Sequence, residues 1–341
     1  MKFLKNVWYM AAWAEELPPG GKLARTLAGH PVVIFFDANG DATALEDMCP
    51  HRFAPLSRGR VEGGRITCGY HGLVFDASGR CIFSPHGAAP SHARVRRFPM
   101  IARHTALWIW LGEPMDADES LIPDLAFLER APPLAKGAGY MYTRAGQELC
   151  VDNILDLSHA DCLHPHSLGG GATTRARVKV TETAATISLH WDMKNEVPLP
   201  FLGLEYPGID RLDMWLDVVW SPPGVMYLEA GGGPPGTTRD TARNTFNVHI
   251  MMPESATTTH YFYCNVRNFR TDDATYHEFL CNALRTAFEE EDKPMLEAQQ
   301  ARIGGRHFAA MKPLLLQSDR GTSAVRRRMA ALLADQGQEQ A

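Results

Sequence analysis

Four residues with metal-binding side chains fall into two tight groups. Cys49 and His51 form a C-x-H pair within CPHR, and Cys68 and His71 form a C-x2-H pair within CGYHG. With 7 cysteines and 14 histidines among 341 residues, that arrangement arises by chance with a probability of roughly 10⁻⁴. Two soft thiolates and two imidazoles can hold tetrahedral zinc, or a [2Fe-2S] cluster in which a pair of histidines replaces a pair of cysteines on one iron. The order within each group separates the two readings. Zinc fingers more usually group Cys with Cys and His with His, whereas each group here gives one of both, so the spacing favours the cluster. Gly69 and Gly72 are expected to leave backbone N–H groups free to approach the cluster sulfides.

A second group lies in ELCVDNILDLSHADCLHPHS, which carries Asn153, Asp156, His159 and His164. On a helix over Glu148 to Leu163, Asp156 and His159 share a face, but His159 and His164 are turned about 140° apart. Pro165 offers a resolution, because the residue before proline is driven out of the helical region. The helix is therefore expected to end at Leu163 to His164 and to swing His164 back, with His166 as a competing donor. Further on, FEEEDKPMLEAQQ supplies Glu289, Glu290, Glu291 and Asp292. Taken alone, both clusters read better as solvated polar faces.

Taken together, these motifs resemble those of the Rieske non-haem iron oxygenases, and among them the vanillate O-demethylase oxygenase group. The resemblance rests on CPHR and CGYHG, on the D-x2-H-x4-H spacing of Asp156, His159 and His164, and on Phe-x3-Asp-Lys-Pro-x-x-Glu around Asp292. It extends to NVWYMAAW, VHIMMPES, YFYCNVRNF and RRRMAALLADQ, and so covers nearly the whole chain.

The resemblance implies that Cys49 and Cys68 ligate one iron of a Rieske [2Fe-2S] cluster while His51 and His71 ligate the other. It implies a mononuclear Fe(II) held by His159, His164 and Asp292, a facial triad with positions open to dioxygen. Asp156 would then accept hydrogen bonds from His71 and His159 and bridge the two centres across neighbouring subunits of a homotrimer. Asn153 would lie near the iron, and His249 matches a strand position that contacts an aromatic carboxylate in some members. EVPLPFLGLEYPGID is suited to a pocket lid.

The implied reaction is O-demethylation of a methoxylated aromatic acid, vanillate-like, through hydroxylation of the methyl carbon. The same metals serve aryl methyl hydroxylation, N-demethylation or ring dihydroxylation elsewhere in the family. A Rieske electron-transfer protein without catalytic iron is the alternative from another class. The chain has no nicotinamide or flavin fingerprint, so NAD(P)H is expected to act only through a separate flavin reductase, with or without a ferredoxin.

The elements that must position these groups divide in two. The first 115 residues read as short strands between turn signals such as Asn-Gly and Ser-Gly, an all-β domain. Residues 116–139 are acidic and then rich in proline, alanine and glycine, the composition of a linker. Residues 140–341 open with a helix, continue in strands at 175–192, 213–229, 243–251 and 257–266, and end in helices over 273–301 and 322–335. That succession, without βαβ alternation, predicts an α+β fold, a helix-grip domain with an antiparallel sheet by the resemblance. Gly169 to Gly171 and Gly231 to Gly233 read as loops.

The 341 residues, 45% hydrophobic and 21% charged, fit two globular domains. A net charge of −5 removes the basic excess of a nucleic-acid binder. No stretch has the roughly 18 apolar residues of a membrane span, and Val7 to Ala14 is too aromatic and too short for a signal sequence. Seven cysteines, an odd number, point to the reducing cytoplasm and not to a disulfide scaffold.

Overall fold

The apolar N-terminal stretch becomes a buried strand. Val7–Trp13 pairs antiparallel with Ala106–Leu111, every residue of which is buried, and Met100–Arg103 completes a three-stranded sheet. The computed structural model describes residues 3–338 apart from Pro90, His166, Ser167 and His307. The competing donor His166 thus lies outside the described residues.

The chain forms two compact units. One contains the residues up to Glu129 together with Met252–Ser255, and the other Arg130–Met251 together with the residues from Ala256 onward. The first unit is built from three antiparallel sheets. Besides the sheet above, Lys22–Leu27, His30–Phe36, Ala42–Glu46 and Arg97–Phe98 form one of four strands, and Arg60–Glu62, Arg65–Thr67, Val74–Phe75 and Cys81–Phe83 form another. Val33, Phe35, Leu45, Ile66 and Phe75 pack between them and enclose Cys49 and Cys68. The first cysteine follows the end of Ala42–Glu46, and the second begins the hairpin loop between Arg65–Thr67 and Val74–Phe75.

The second unit is α+β. Its seven-stranded antiparallel sheet runs Lys136–Thr143, Thr259–Arg267, Arg243–Pro253, Val225–Gly233, Leu212–Ser221, Ile187–Glu196, Arg177–Glu182. A long helical stretch, Ala274–Arg285 continuing through Thr286–Asp292 into Lys293–Ile303, lies on one face of it. Phe288 anchors the stretch there, its ring centroid 4.7 Å from that of Tyr263 and 5.5 Å from that of His249. Gln147–Leu155 and Arg320–Gln338 complete the helical layer.

Glycine accounts for two departures from the sequence expectation. Residues 136–139 are not linker but the start of an edge strand, because a Cβ on Gly139 would stand 2.2 Å from the Tyr263 ring. Gly231 to Gly233 likewise end the strand Val225–Gly233 and form no loop: Trp215 fills the space beside Gly231, and Met214 the space beside Gly232. In both places glycine serves close approach and not a turn. Gly231→Ala would put its Cβ 2.5 Å from Trp215 Cζ2 and 2.8 Å from Asn244 Cβ. We expect it to cost about 1–3 kcal/mol in urea unfolding, the usual penalty of overpacking.

Two of the expected strands are hairpins. Residues 175–192 divide at Thr183, whose N–H and hydroxyl bond Thr186, and 213–229 divides between Ser221 and Val225.

Candidate metal centres

The two cysteine loops are built alike. The Cys49 N–H donates to the Ala54 carbonyl at 2.9 Å and the Phe53 N–H to the Cys49 carbonyl at 2.9 Å. In the second loop the Cys68 N–H donates to the Leu73 carbonyl at 2.8 Å and the Gly72 N–H to the Cys68 carbonyl at 3.0 Å. Each turn closes through a residue of left-handed backbone, Phe53 at φ 58° and Gly72 at φ 73°. This corrects the expectation for Gly72, since its N–H closes the turn. Gly69 permits close approach, as a Cβ there would meet the Arg58 carbonyl oxygen at 2.9 Å.

These loops bury both cysteines and turn both histidines outward, His51 exposed and His71 half-buried, with ring centroids 4.5 Å apart. Burial, reinforced by the adjoining Cys68 thiol, pushes the Cys49 thiol up to about 11. Thiolates here therefore call for metal charge beside them. Two inner sulfurs and two outer imidazoles fit a [2Fe-2S] cluster with its cysteine-ligated iron inward.

In the second unit His159, His164 and Asp292 converge, with one ligand atom from each within 4.8 Å of the others. Asp292 Oδ1 lies 3.2 Å from His164 Nε2 and 3.4 Å from His159 Nε2. Two breaks bring the imidazoles together, where the sequence suggested one. The helix Gln147–Leu155 stops at Asp156 (φ −119°, ψ 82°), the chain makes a 3-10 turn over Leu157–His159, and the short helix Ala160–Leu163 ends at His164 (φ −117°, ψ 47°), just before Pro165. Asp156 thus caps this turn and does not share a helix face with His159.

Asp292 ends a π-helical segment, Thr286–Asp292, in which the Lys293 N–H reaches back five residues to the Phe288 carbonyl. Pro294 has no N–H for the Glu290 carbonyl, which favours this widened turn, and the insertion rotates Asp292 inward.

The outer nitrogens of both rings are tied down. His159 Nδ1 lies 2.6 Å from the Asp156 backbone carbonyl, which can only accept, so this nitrogen carries the proton. His164 Nδ1 donates to Glu291 Oε2 at 2.6 Å. Both Nε2 atoms are left as metal donors. The Asp156 carboxylate does not touch His159 as expected, because its Oδ1 accepts from the N–H and hydroxyl of Ser158 at 3.1 and 2.6 Å. Asn153 Nδ2 donates to Asp292 Oδ1 at 2.9 Å, which places it at the site. Burial alone would raise the Asp292 carboxyl, but the two imidazoles beside it, His159 and His164, favour its ionised form and hold it well below the usual carboxylate range. An ionised carboxylate and two Nε2 atoms suit Fe(II).

Of the other acidic candidates, Glu289 accepts from the Tyr263 hydroxyl and Glu290 pairs with Arg285. Only Glu291 supports a ligand. Glu291→Ala leaves the Nδ1–H of the fully buried His164 without its acceptor. We expect iron affinity to fall about 10–100-fold, measured by chelator competition.

The triad opens on a cavity of about 120 Å³, comparable to the apolar cavities of ~150 Å³ that hold benzene. Most of its lining is apolar, including Leu199 and Phe201 from the segment expected to form a lid. His249 faces it from the sheet, its Nδ1 2.9 Å from the Tyr261 hydroxyl. Asn247 and Asn265 also line it, and sequence reasoning missed both.

An all-β unit with paired Cys/His loops, followed by an α+β unit with two imidazoles and a carboxylate at a cavity, defines a two-centre iron oxygenase. Residues 7–99 match the Rieske [2Fe-2S] domain, and residues 143–335 match the vanillate O-demethylase oxygenase C-terminal domain. The chain belongs to this family of Rieske non-haem iron monooxygenases, and its cofactors are a [2Fe-2S] cluster and a mononuclear iron.

It is 37% identical over 309 residues to a putative toluene-4-sulfonate monooxygenase iron-sulfur subunit of Comamonas testosteroni, covering 87% of this chain and 88% of the relative. It is 33% identical to the oxygenase component of dicamba O-demethylase from Stenotrophomonas maltophilia, over 97% of this chain and 98% of that one. The crystal structure of dicamba monooxygenase bound to dicamba superposes with a TM-score of 0.91 at 32% identity, over 99% of each chain. Among the described residues, no helix is long and apolar enough to cross a membrane.

Proposed function

We propose that this protein is the oxygenase component of an aromatic O-demethylase, acting on a small methoxylated ring with vanillate-like acids as first candidates. The observation that carries the reading is the opening of the triad His159, His164 and Asp292 onto a mostly apolar cavity of aromatic size. Cys49, His51, Cys68 and His71 hold the cluster, and His159, His164 and Asp292 hold the iron, which supplies dioxygen activation next to the substrate. The protein's own contribution is to shape the site. Asp156 and Glu291 fix the two imidazoles, Asn153 holds the carboxylate, and the apolar walls exclude water and set the methyl group toward the triad.

One methyl carbon is hydroxylated for each dioxygen and two electrons, with the second oxygen atom leaving as water. The resulting hemiacetal collapses to a phenol and formaldehyde. The electrons come from NAD(P)H through a separate reductase, with or without a ferredoxin. Within a homotrimer in the cytoplasm, they would pass from His71 of the partner subunit to Asp156, whose backbone carbonyl holds His159 Nδ1.

The test is formaldehyde release from methoxylated benzoates with oxygen and a surrogate reductase. A cis-diol from an unsubstituted ring, with no formaldehyde from any aryl ether, would overturn it. A relative named chloroacetanilide N-alkylformylase, 32% identical over 98% of this chain, favours N-dealkylation as the second reading.

A further inference from the structure

Three adjoining polar side chains at the cavity have a fixed orientation. Asn247 Nδ2 donates to the Leu228 backbone carbonyl at 3.0 Å, which decides which end of that amide is nitrogen. Its Oδ1 therefore accepts, and Asn265 Nδ2 donates to it at 2.6 Å. This orients Asn265 in turn and leaves its Oδ1 buried without a hydrogen-bond partner, on a residue only 4% exposed. Two positions along the same strand face from Asn247, His249 Nδ1 meets the Tyr261 hydroxyl, and His249 Nε2 is also buried and unpartnered. A buried tyrosine hydroxyl places its proton on an available acceptor, so Nδ1 accepts and Nε2 carries a hydrogen. Burial holds His249 low, at about 4, in keeping with a neutral ring.

We infer that Asn265, aligned by Asn247, is a specificity-determining residue that accepts a hydrogen bond from a donor on the substrate ring, a phenolic hydroxyl beside the methoxy group. A hydroxyl both donates and accepts, matching the Asn265 oxygen and the His249 N–H. A carboxylate at this position would set oxygen against oxygen. Among the described lining residues there is no lysine or arginine to compensate it. An empty partner position would leave a buried carbonyl oxygen unsatisfied, a costly state. The inference rests on the cavity being the substrate site and names the ring substituent that the site reads.

The test compares vanillate with its analogue lacking the phenolic hydroxyl, which removes the donor without adding bulk. Dissociation constants are measured by calorimetry on the iron-loaded protein, and formaldehyde is measured separately. Vanillate is expected to bind roughly 10–100-fold more tightly, and Asn265→Leu to reduce the ratio below about threefold. Asn265→Ala serves the same purpose if the leucine variant fails to fold. Equal binding by the parent protein, no binding of either compound, or a ratio that survives both substitutions overturns the inference. Discrimination in binding without formaldehyde counts against O-demethylation alone. Formaldehyde from both compounds without discrimination counts against the Asn265 subsite alone.

Discussion

Asp292→Ala is expected to strip the mononuclear iron, to lower formaldehyde release by roughly 10³-fold or more, and to leave the cluster spectrum unchanged. Asp292 supplies the only carboxylate among the three converging ligands, and its Oδ1 lies within 3.4 Å of both Nε2 atoms. Without it, two neutral imidazoles and the Asn153 amide remain, a set with no negative charge to offset a hard divalent ion. The alanine also fills less of a buried site, so folding is checked by circular dichroism and by the cluster's visible absorption. Metal analysis decides the matter. Iron near one per chain beyond the cluster, with turnover within about tenfold of the parent, would shift the carboxylate role to Glu291.

The two sites differ in how far the sequence discloses them. The cluster loops close on themselves through bonds between residues four and five apart, so their spacing is nearly their geometry. The mononuclear site is only partly local. Pro165 signals the break at His164, but the earlier break at Asp156 depends on the Asp156 carboxylate capping the next turn by accepting from Ser158, and an Asp in LDLSHAD reads as an ordinary helix residue. The run EEED does not reveal which carboxylate points inward, because that depends on the π-helical turn before Pro294.

Asn247 and Asn265 carry no periodic or motif signal. They meet through the pairing of two strands, and their shared function appears only when their amide orientations are traced back to the Leu228 carbonyl. Glycine was misleading for a related reason. In a sequence it marks turns and close approaches alike, and Gly139 and Gly231 belong to the second kind because Tyr263 and Trp215 occupy the space where their Cβ atoms would be.

Asp156→Asn is the substitution that separates electron delivery from metal binding. The carboxamide keeps an oxygen to accept from Ser158, and the backbone carbonyl that holds His159 is untouched, so both the turn and the iron site should persist. The change removes the negative charge through which, in the proposed homotrimer, Asp156 would receive a hydrogen bond from His71 of the partner subunit. We expect full cluster and iron content, formaldehyde release lower by roughly 10²-fold, and a pre-reduced cluster that stays reduced when oxygen and substrate are added. Asp156→Ala should add a stability loss of about 1 kcal/mol, because it also deletes the cap on Ser158. A purely structural role predicts the reverse pattern, with the alanine variant impaired and the asparagine variant within about threefold of the parent. The oxidation state of the cluster after mixing with oxygen distinguishes the two, since loss of the cap changes stability but gives an electron no reason to remain on the cluster.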